Sequence, residues 1–149
     1  MVLREIRSGD FEALMALYLH LHETGAPERD ERAETVWQGI LRDDNYHIIV
    51  AEENGQLVSS CTCVIVPNLT RGLRPYALIE NVVTHADWRG RGWASACLRR
   101  AEEIAARENC YKIMLLTGAK DEKTLSCYEK AGYDRTGKTA FVKMLSFLE

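Results

Sequence analysis

The residues best suited to chemistry form the run Arg89-Gly90-Arg91-Gly92-Trp93-Ala94, placed between a β-branched stretch ending at Thr84 and a stretch of helical periodicity. Gly90 and Gly92 lack Cβ, so the backbone can turn sharply and approach a ligand closely. The first amides of a helix have no intrahelical acceptor and carry the positive end of its dipole. A strand, a glycine turn and a helix start therefore make a cradle for a pyrophosphate. Arg89 and Arg91 add two charges beside it. A bare glycine turn would serve structure alone, but the flanking arginines and the strand-to-helix context favour the anion site. The run is no Walker turn, because the Lys-Ser/Thr pair is missing. The dinucleotide fingerprint is incomplete, since Ser95 stands at its third glycine.

These residues need a scaffold, and its elements are legible in the pattern. Residues 2–6 alternate as a short strand, and Ser8-Gly9-Asp10 reads as a turn and helix cap. Phe11, Leu14, Met15, Leu17, Tyr18 and Leu21 follow at helical spacing. Residues 23–32 are acidic and read as a loop, and a second helix is predicted over 33–42. Strands are predicted at 46–52 and 56–66, joined by Asn54-Gly55, a strong hairpin signal. Residues 67–75 form a loop, and 76–84 a strand buried on both faces. In the next helix Ala94, Cys97, Leu98, Ala101, Ile104 and Ala105 share a face, with Asn109 as its end. A strand at 111–117, a short helix capped by Asp121 and closed by Gly132, and one or two strands up to 147 complete the chain. A strand–helix–strand unit over 76–117 implies parallel strands with a right-handed crossover. The fold class is thus α/β, a central mixed twisted sheet with helices on both faces, in one domain over 1–149.

Composition narrows the function classes. A chain of 149 residues buries roughly 70% of its unfolded surface, enough to fold without disulfides or a metal. A formal net charge of -3 argues against nucleic acid as the main partner. Cys61, Cys63, Cys97, Cys110 and Cys127 are odd in number and show no metal-ligand spacing, so they read as reduced core residues. No metal is expected. No stretch reaches the ~20 apolar residues of a membrane span, and the start lacks a signal-peptide run. The expected location is the cytoplasm, with no membrane partner. An exposed sheet edge would allow a homodimer.

The same residues carry a resemblance. Arg89, Gly92 and Ala94 resemble motif A of the GNAT family of N-acetyltransferases, Arg/Gln-x-x-Gly-x-Gly/Ala. Ile-Glu-Asn-Val-Val-Thr, residues 79–84, resembles its cofactor strand. Leu-Ser-Cys-Tyr-Glu-Lys-Ala-Gly-Tyr, residues 125–133, resembles its second signature helix. The motifs fall in the family's order, and Glu80 with Cys-Tyr-Lys-Ile at 110–113 is similar to glucosamine-6-phosphate N-acetyltransferase-like members. The resemblance implies a GNAT fold and acetyl-CoA (coenzyme A) as cofactor. It implies that backbone groups of Val82, Val83 and Thr84 bind the pantetheine arm, and that amides of Arg89, Gly90, Arg91, Gly92, Trp93 and Ala94 hold the pyrophosphate. Thr124 stands where many relatives carry a cofactor-contacting Asn. Trp93 receives no catalytic role.

Acetyl transfer sets two chemical demands. An amine of pKa about 10.4 must lose its proton before it attacks, which at pH 7 costs about 3.4 units or roughly 4.6 kcal/mol. Glu80, the sole acid of its strand, is the candidate base, directly or through water. The leaving thiolate profits from a hydroxyl donor, and Tyr128 matches the family's acid tyrosine. The histidines show no catalytic motif; His20 and His22, two apart on a helix, cannot face one site. Arg71 and Arg74 can bind an acceptor carboxylate or phosphate, or be a solvated loop. The acidic loop 23–32 can instead attract a polyamine, or equally be a solvated charge run. The expected function is acetyl transfer to a primary amine of a small molecule, by direct transfer in a ternary complex. Protein or peptide N-acetyltransferases, a non-catalytic acyl-CoA sensor and a nucleotide-binding module are the alternatives.

Overall fold

The computed structural model describes residues 1–21 and 25–146. The chain divides into two compact units, Met1–Leu115 and Leu116–Glu149.

The first unit is a five-stranded sheet in the order β1-β2-β3-β4-β5. Its strands are β1 (Val2–Glu5), β2 (Tyr46–Glu53), β3 (Gln56–Val66), β4 (Tyr76–Thr84) and β5 (Ile113–Leu115). The first four pair antiparallel, and β4 pairs with β5 in parallel across the helix α3 (Trp93–Arg107). At the β2–β3 hairpin Asn54 and Gly55 both take positive φ, 51° and 78°. That is the mirror-image turn whose twist suits the strands.

Alternation sorts the sheet residues between two layers. Ile48, Val50 and Val83 pack with Phe11, Leu14, Leu17 and Trp37 from the helices α1 (Phe11–Tyr18) and α2 (Glu31–Arg42). Ile49, Ala51, Cys61 and Cys63 point the other way, the side on which α3 contributes Ala96, Cys97, Leu98, Ala101 and Ile104 to the core. Burial pushes the thiol of Cys97 up to about 11 and that of Cys63 to about 12, and raises that of Cys61 further. Neutral small hydrophobes suit that environment.

Several boundaries differ from the sequence expectation. Helix α2 starts at Glu31 because the Asp30 carboxylate accepts from Ala33 N at 2.8 Å, so the loop expected to 32 is shorter. Residues 23–24 of that loop lie outside the described residues, as does His22. Helix α1 ends at Tyr18, and the next turn tightens through His20 N to Leu17 O. Strand β4 is not buried throughout, since Glu80 and Asn81 are exposed. The strand expected over 111–117 narrows to Ile113–Leu115.

In the second unit α4 (Glu122–Lys130) is capped by Asp121 and followed by Gly132 at φ 97°. No strand forms among the described residues 133–146, against the one or two expected there; residue 147 lies outside the description. Alternation supplies side chains for a strand, but a strand exists only where a ladder takes its backbone groups. Here Thr136 N donates locally to the Asp134 carboxylate at 2.8 Å, and Phe141, Val142, Met144 and Leu145 are exposed.

Candidate active site

The glycine turn stands as its residues require. Gly90 and Gly92 adopt φ of 76° and 82°, conformations that favour residues without Cβ, and added Cβ atoms would meet nothing within 4 Å. Gly92 caps α3, whose first i to i−4 bond runs from Ala96 N to Gly92 O. The amides of Trp93 and Ala94 thus have no carbonyl of their own helix to bond. This is the arrangement that suits a pyrophosphate. Arg91 lies over the Trp88 ring at 5.1 Å, and Trp88 meets Trp93 edge-on at 5.8 Å. A stacked guanidinium keeps its N–H donors in plane for an anion.

Arg89 also braces the turn. Its Nε donates to Thr84 O at 3.2 Å and its Nη2 to His20 O at 3.3 Å. The side chain clamps the turn to the end of β4 and to the end of the α1 segment. His20 helps again, because its Nδ1 accepts from Ala86 N at 3.3 Å and its ring lies 4.1 Å from that of His85.

The cofactor strand is open where the resemblance needs it. Strand β5 pairs with Ala77, Leu78 and Ile79 alone. Among the described residues, no strand pairs with that edge at Glu80, Asn81, Val82, Val83 or Thr84. An extended ligand with amide groups can add to such an edge as a strand does. The open edge, the glycine turn and the helix start follow one another along the chain, and together they fit the pantetheine and pyrophosphate of a coenzyme A molecule.

Glu80 lies in a row across the sheet with Ile48 and Thr62, by the pairings Ile48–Thr62 and Thr62–Glu80. Side chains in one cross-strand row share a face, so Glu80 is on the α1/α2 side. Just after it β4 is irregular. The register shifts opposite Ser60–Thr62, and Asn81 takes φ 52°, where Asn is tolerated far better than Val or Ile. Three polar side chains gather there. Burial, the largest cause, raises the Tyr18 phenol pKa, opposed by Thr62 and Asn81. Burial first and the charge of Glu80 second raise that of Tyr46. The Thr62 side chain is 1% exposed and faces the Tyr18 phenol. Sequence reasoning missed Tyr18, Tyr46, Thr62, Asn81 and His20. Asn81 had a signal: an Asn inside a β-branched run is costly unless the strand bulges.

The remaining candidates have defined surroundings. Arg74 donates from Nε to Asn109 O at 3.1 Å and from Nη2 to Cys110 O at 3.0 Å, which ties its loop to the C-terminal end of α3. Those bonds satisfy carbonyls of the segment that follows α3. Arg71, at φ 55°, lies over the Tyr111 ring at 5.5 Å. In the second unit the Thr124 hydroxyl donates to Asp121 at 2.7 Å, so its proton serves the cap of α4. Tyr128 lies on α4 with its ring edge-on to Tyr133 at 6.4 Å.

Comparisons with known proteins show the family and the fold. The sequence model of the Acetyltransferase (GNAT) family matches residues 11–133. A glucosamine 6-phosphate N-acetyltransferase of Trypanosoma brucei brucei is 30% identical over 131 residues, covering 88% of this chain and 87% of that protein. An acetyltransferase of Pectobacterium atrosepticum is 32% identical over 137 residues, covering 90% and 88%. A solved structure from Agrobacterium tumefaciens str. C58, described as an acetyltransferase, superposes with a TM-score of 0.88 at 40% identity, over 97% of this chain and 100% of that one. With the family match spanning most of its length, the chain belongs to the GNAT family of acetyl-CoA-dependent acetyltransferases.

Proposed function

We propose that this acetyltransferase acylates a primary amine of a small molecule, by direct transfer with both substrates bound. The observation that carries this reading is the unpaired β4 edge at Glu80–Thr84, running into the Gly90–Gly92 turn with Glu80 at its head. Acetyl-CoA supplies an activated thioester carbonyl. Backbone groups of Val82, Val83 and Thr84 would align the pantetheine arm, and the amides of Arg89 to Ala94 would hold the pyrophosphate. Glu80 takes the proton of the incoming ammonium, directly or through water, and so leaves a neutral nucleophile. Tyr128 would give a proton to the departing thiolate, a role that rests on its place in the second signature helix. The family match runs across both units, which supports their acting as one domain over 1–149. Thr124 would approach the cofactor with its oxygen lone pairs, since its proton is engaged.

Thiol release from acetyl-CoA, screened over amine classes, tests the reading. Turnover should fall about 100-fold or more in Glu80→Gln and in Tyr128→Phe, with acetyl-CoA affinity retained. Binding of acetyl-CoA with no turnover of any amine would favour an acyl-CoA sensor. Full activity in Tyr128→Phe would remove the acid from the mechanism.

A further inference from the structure

Beside the Glu80 row, α1, α2 and the sheet enclose a cavity of about 460 Å³. That is the size of small-ligand sites, ~300–1,000 Å³. Its walls are mainly apolar and include Phe11, Met15, Val36, Trp37, Ile40 and Ile48. The aromatic wall is rigid. Phe11 and Trp37 meet edge-on at 5.4 Å, and Trp37 Nε1 donates to Ser8 O at 3.4 Å. Val36 is 57% exposed at this wall, apolar surface that core packing leaves uncovered. Asn81, next in sequence to Glu80, lines both this cavity and a smaller one of about 270 Å³, which share Met15, Tyr18 and Pro27. Tyr46 also lines the larger cavity and feels the charge of Glu80. Glu80 is not itself a lining residue, but its neighbour Asn81 and the Tyr46 ring that feels its charge both are, so the cavity lies close to it.

Charge decides what enters. Among the described lining residues Arg32 is the single cation, set beside Glu28 and Asp30. Nearby Arg29 is engaged by Glu12 and Glu34, each at 2.8 Å. An acceptor phosphate would meet two carboxylates and one guanidinium. A mildly acidic mouth suits an ammonium, and an apolar interior suits a ring or branched chain. We infer that the acceptor is a primary amine on an aromatic or branched apolar body with no anionic group, held in the α1/α2 cavity with its nitrogen toward Glu80. This rests on the acetyltransferase reading given above, and it departs from the amino-sugar phosphate of the trypanosomal relative.

The test is a competition among acceptors with acetyl-CoA. 2-Phenylethylamine and tryptamine are compared with glucosamine 6-phosphate and spermidine, in wild type and in Val36→Glu. The expected result is kcat/KM at least about tenfold higher for the two arylalkylamines. In Val36→Glu their KM should rise about tenfold or more, because a carboxylate now faces the ring. Acetyl-CoA affinity, measured on the same variant, controls for folding, and Ile40→Asp serves as a second wall variant. Preference for glucosamine 6-phosphate or spermidine overturns the inference and leaves the acetyltransferase reading standing. So does an arylalkylamine KM unchanged in both wall variants. Turnover of no amine, with acetyl-CoA bound, sinks the acetyltransferase reading itself and the acceptor assignment with it.

Discussion

Glu80 shows how one residue can be legible and its surroundings hidden. Its type and place in an apolar strand mark it as a base candidate, yet its face of the sheet follows only from the pairing with Thr62. If it removes the ammonium proton, Glu80→Gln should depend more steeply on pH than wild type. The variant must wait for solvent to supply free amine, so its deficit should shrink as pH rises toward the pKa of the amine, about 10.4. A pH–rate profile of kcat/KM decides this, and a constant deficit at every pH would remove the base role. A second residue-scale prediction concerns Asp10. The Arg4 guanidinium, 2.7 Å away, holds its carboxyl below the ordinary value of 3.8. A carboxyl depressed by folding stabilises the native state above its unfolded pKa and loses that contribution as pH falls through the folded value. Asp10→Asn should therefore unfold more easily at neutral pH, and the gap to wild type should close below about pH 4 in thermal melts.

At the scale of elements, the glycine turn and α3 act as one device. The turn sets the helix start, and the helix presents its first amides. Gly92→Ala should lower stability by about 1–2 kcal/mol, because φ of 82° forces Cβ toward the carbonyl while no neighbour obstructs the new methyl. Acetyl-CoA affinity should fall about tenfold, since the altered turn misaims the amides. Unfolding and calorimetric binding separate the two effects, and unchanged affinity would place the pyrophosphate elsewhere. The β4–β5 pair is the complementary device. Its pairing stops at Ile79 and Leu115, and among the described residues that early stop leaves the rest of β4 without a strand on that side.

For the whole molecule, the core of the first unit is the layer between sheet and helices, and its cysteines test it. Cys61, Cys63 and Cys97 are buried, while Cys127 is exposed. A maleimide should label Cys127 first in the native protein and reach the three buried thiols only on denaturation, as mass spectrometry would show. Early labelling of Cys97 would mean that α3 does not cover its face of the sheet. Leu14, fully buried between α1 and the sheet, should cost about 2–5 kcal/mol on change to Ala, read from a denaturant melt. Among the described residues no helix is long and apolar enough to cross a membrane.

Local chemistry was readable from the sequence alone. The Asn54-Gly55 hairpin, the β4–turn–α3 unit, the Asp121 cap and the apolar stripe of α3 arise from residues close in sequence, whose conformations are set by sterics and short-range hydrogen bonds. Long-range partnership was not. Whether Arg89 and Arg74 face a ligand or a carbonyl, whether Asn81 bulges, where β5 stops and whether 133–146 form a ladder depend on groups brought near only by folding. The cavity beside α1 and α2 belongs to the same class. Its walls come from α1, the loop before α2, α2, β2 and Asn81 of β4, and these meet only once the sheet has taken its register.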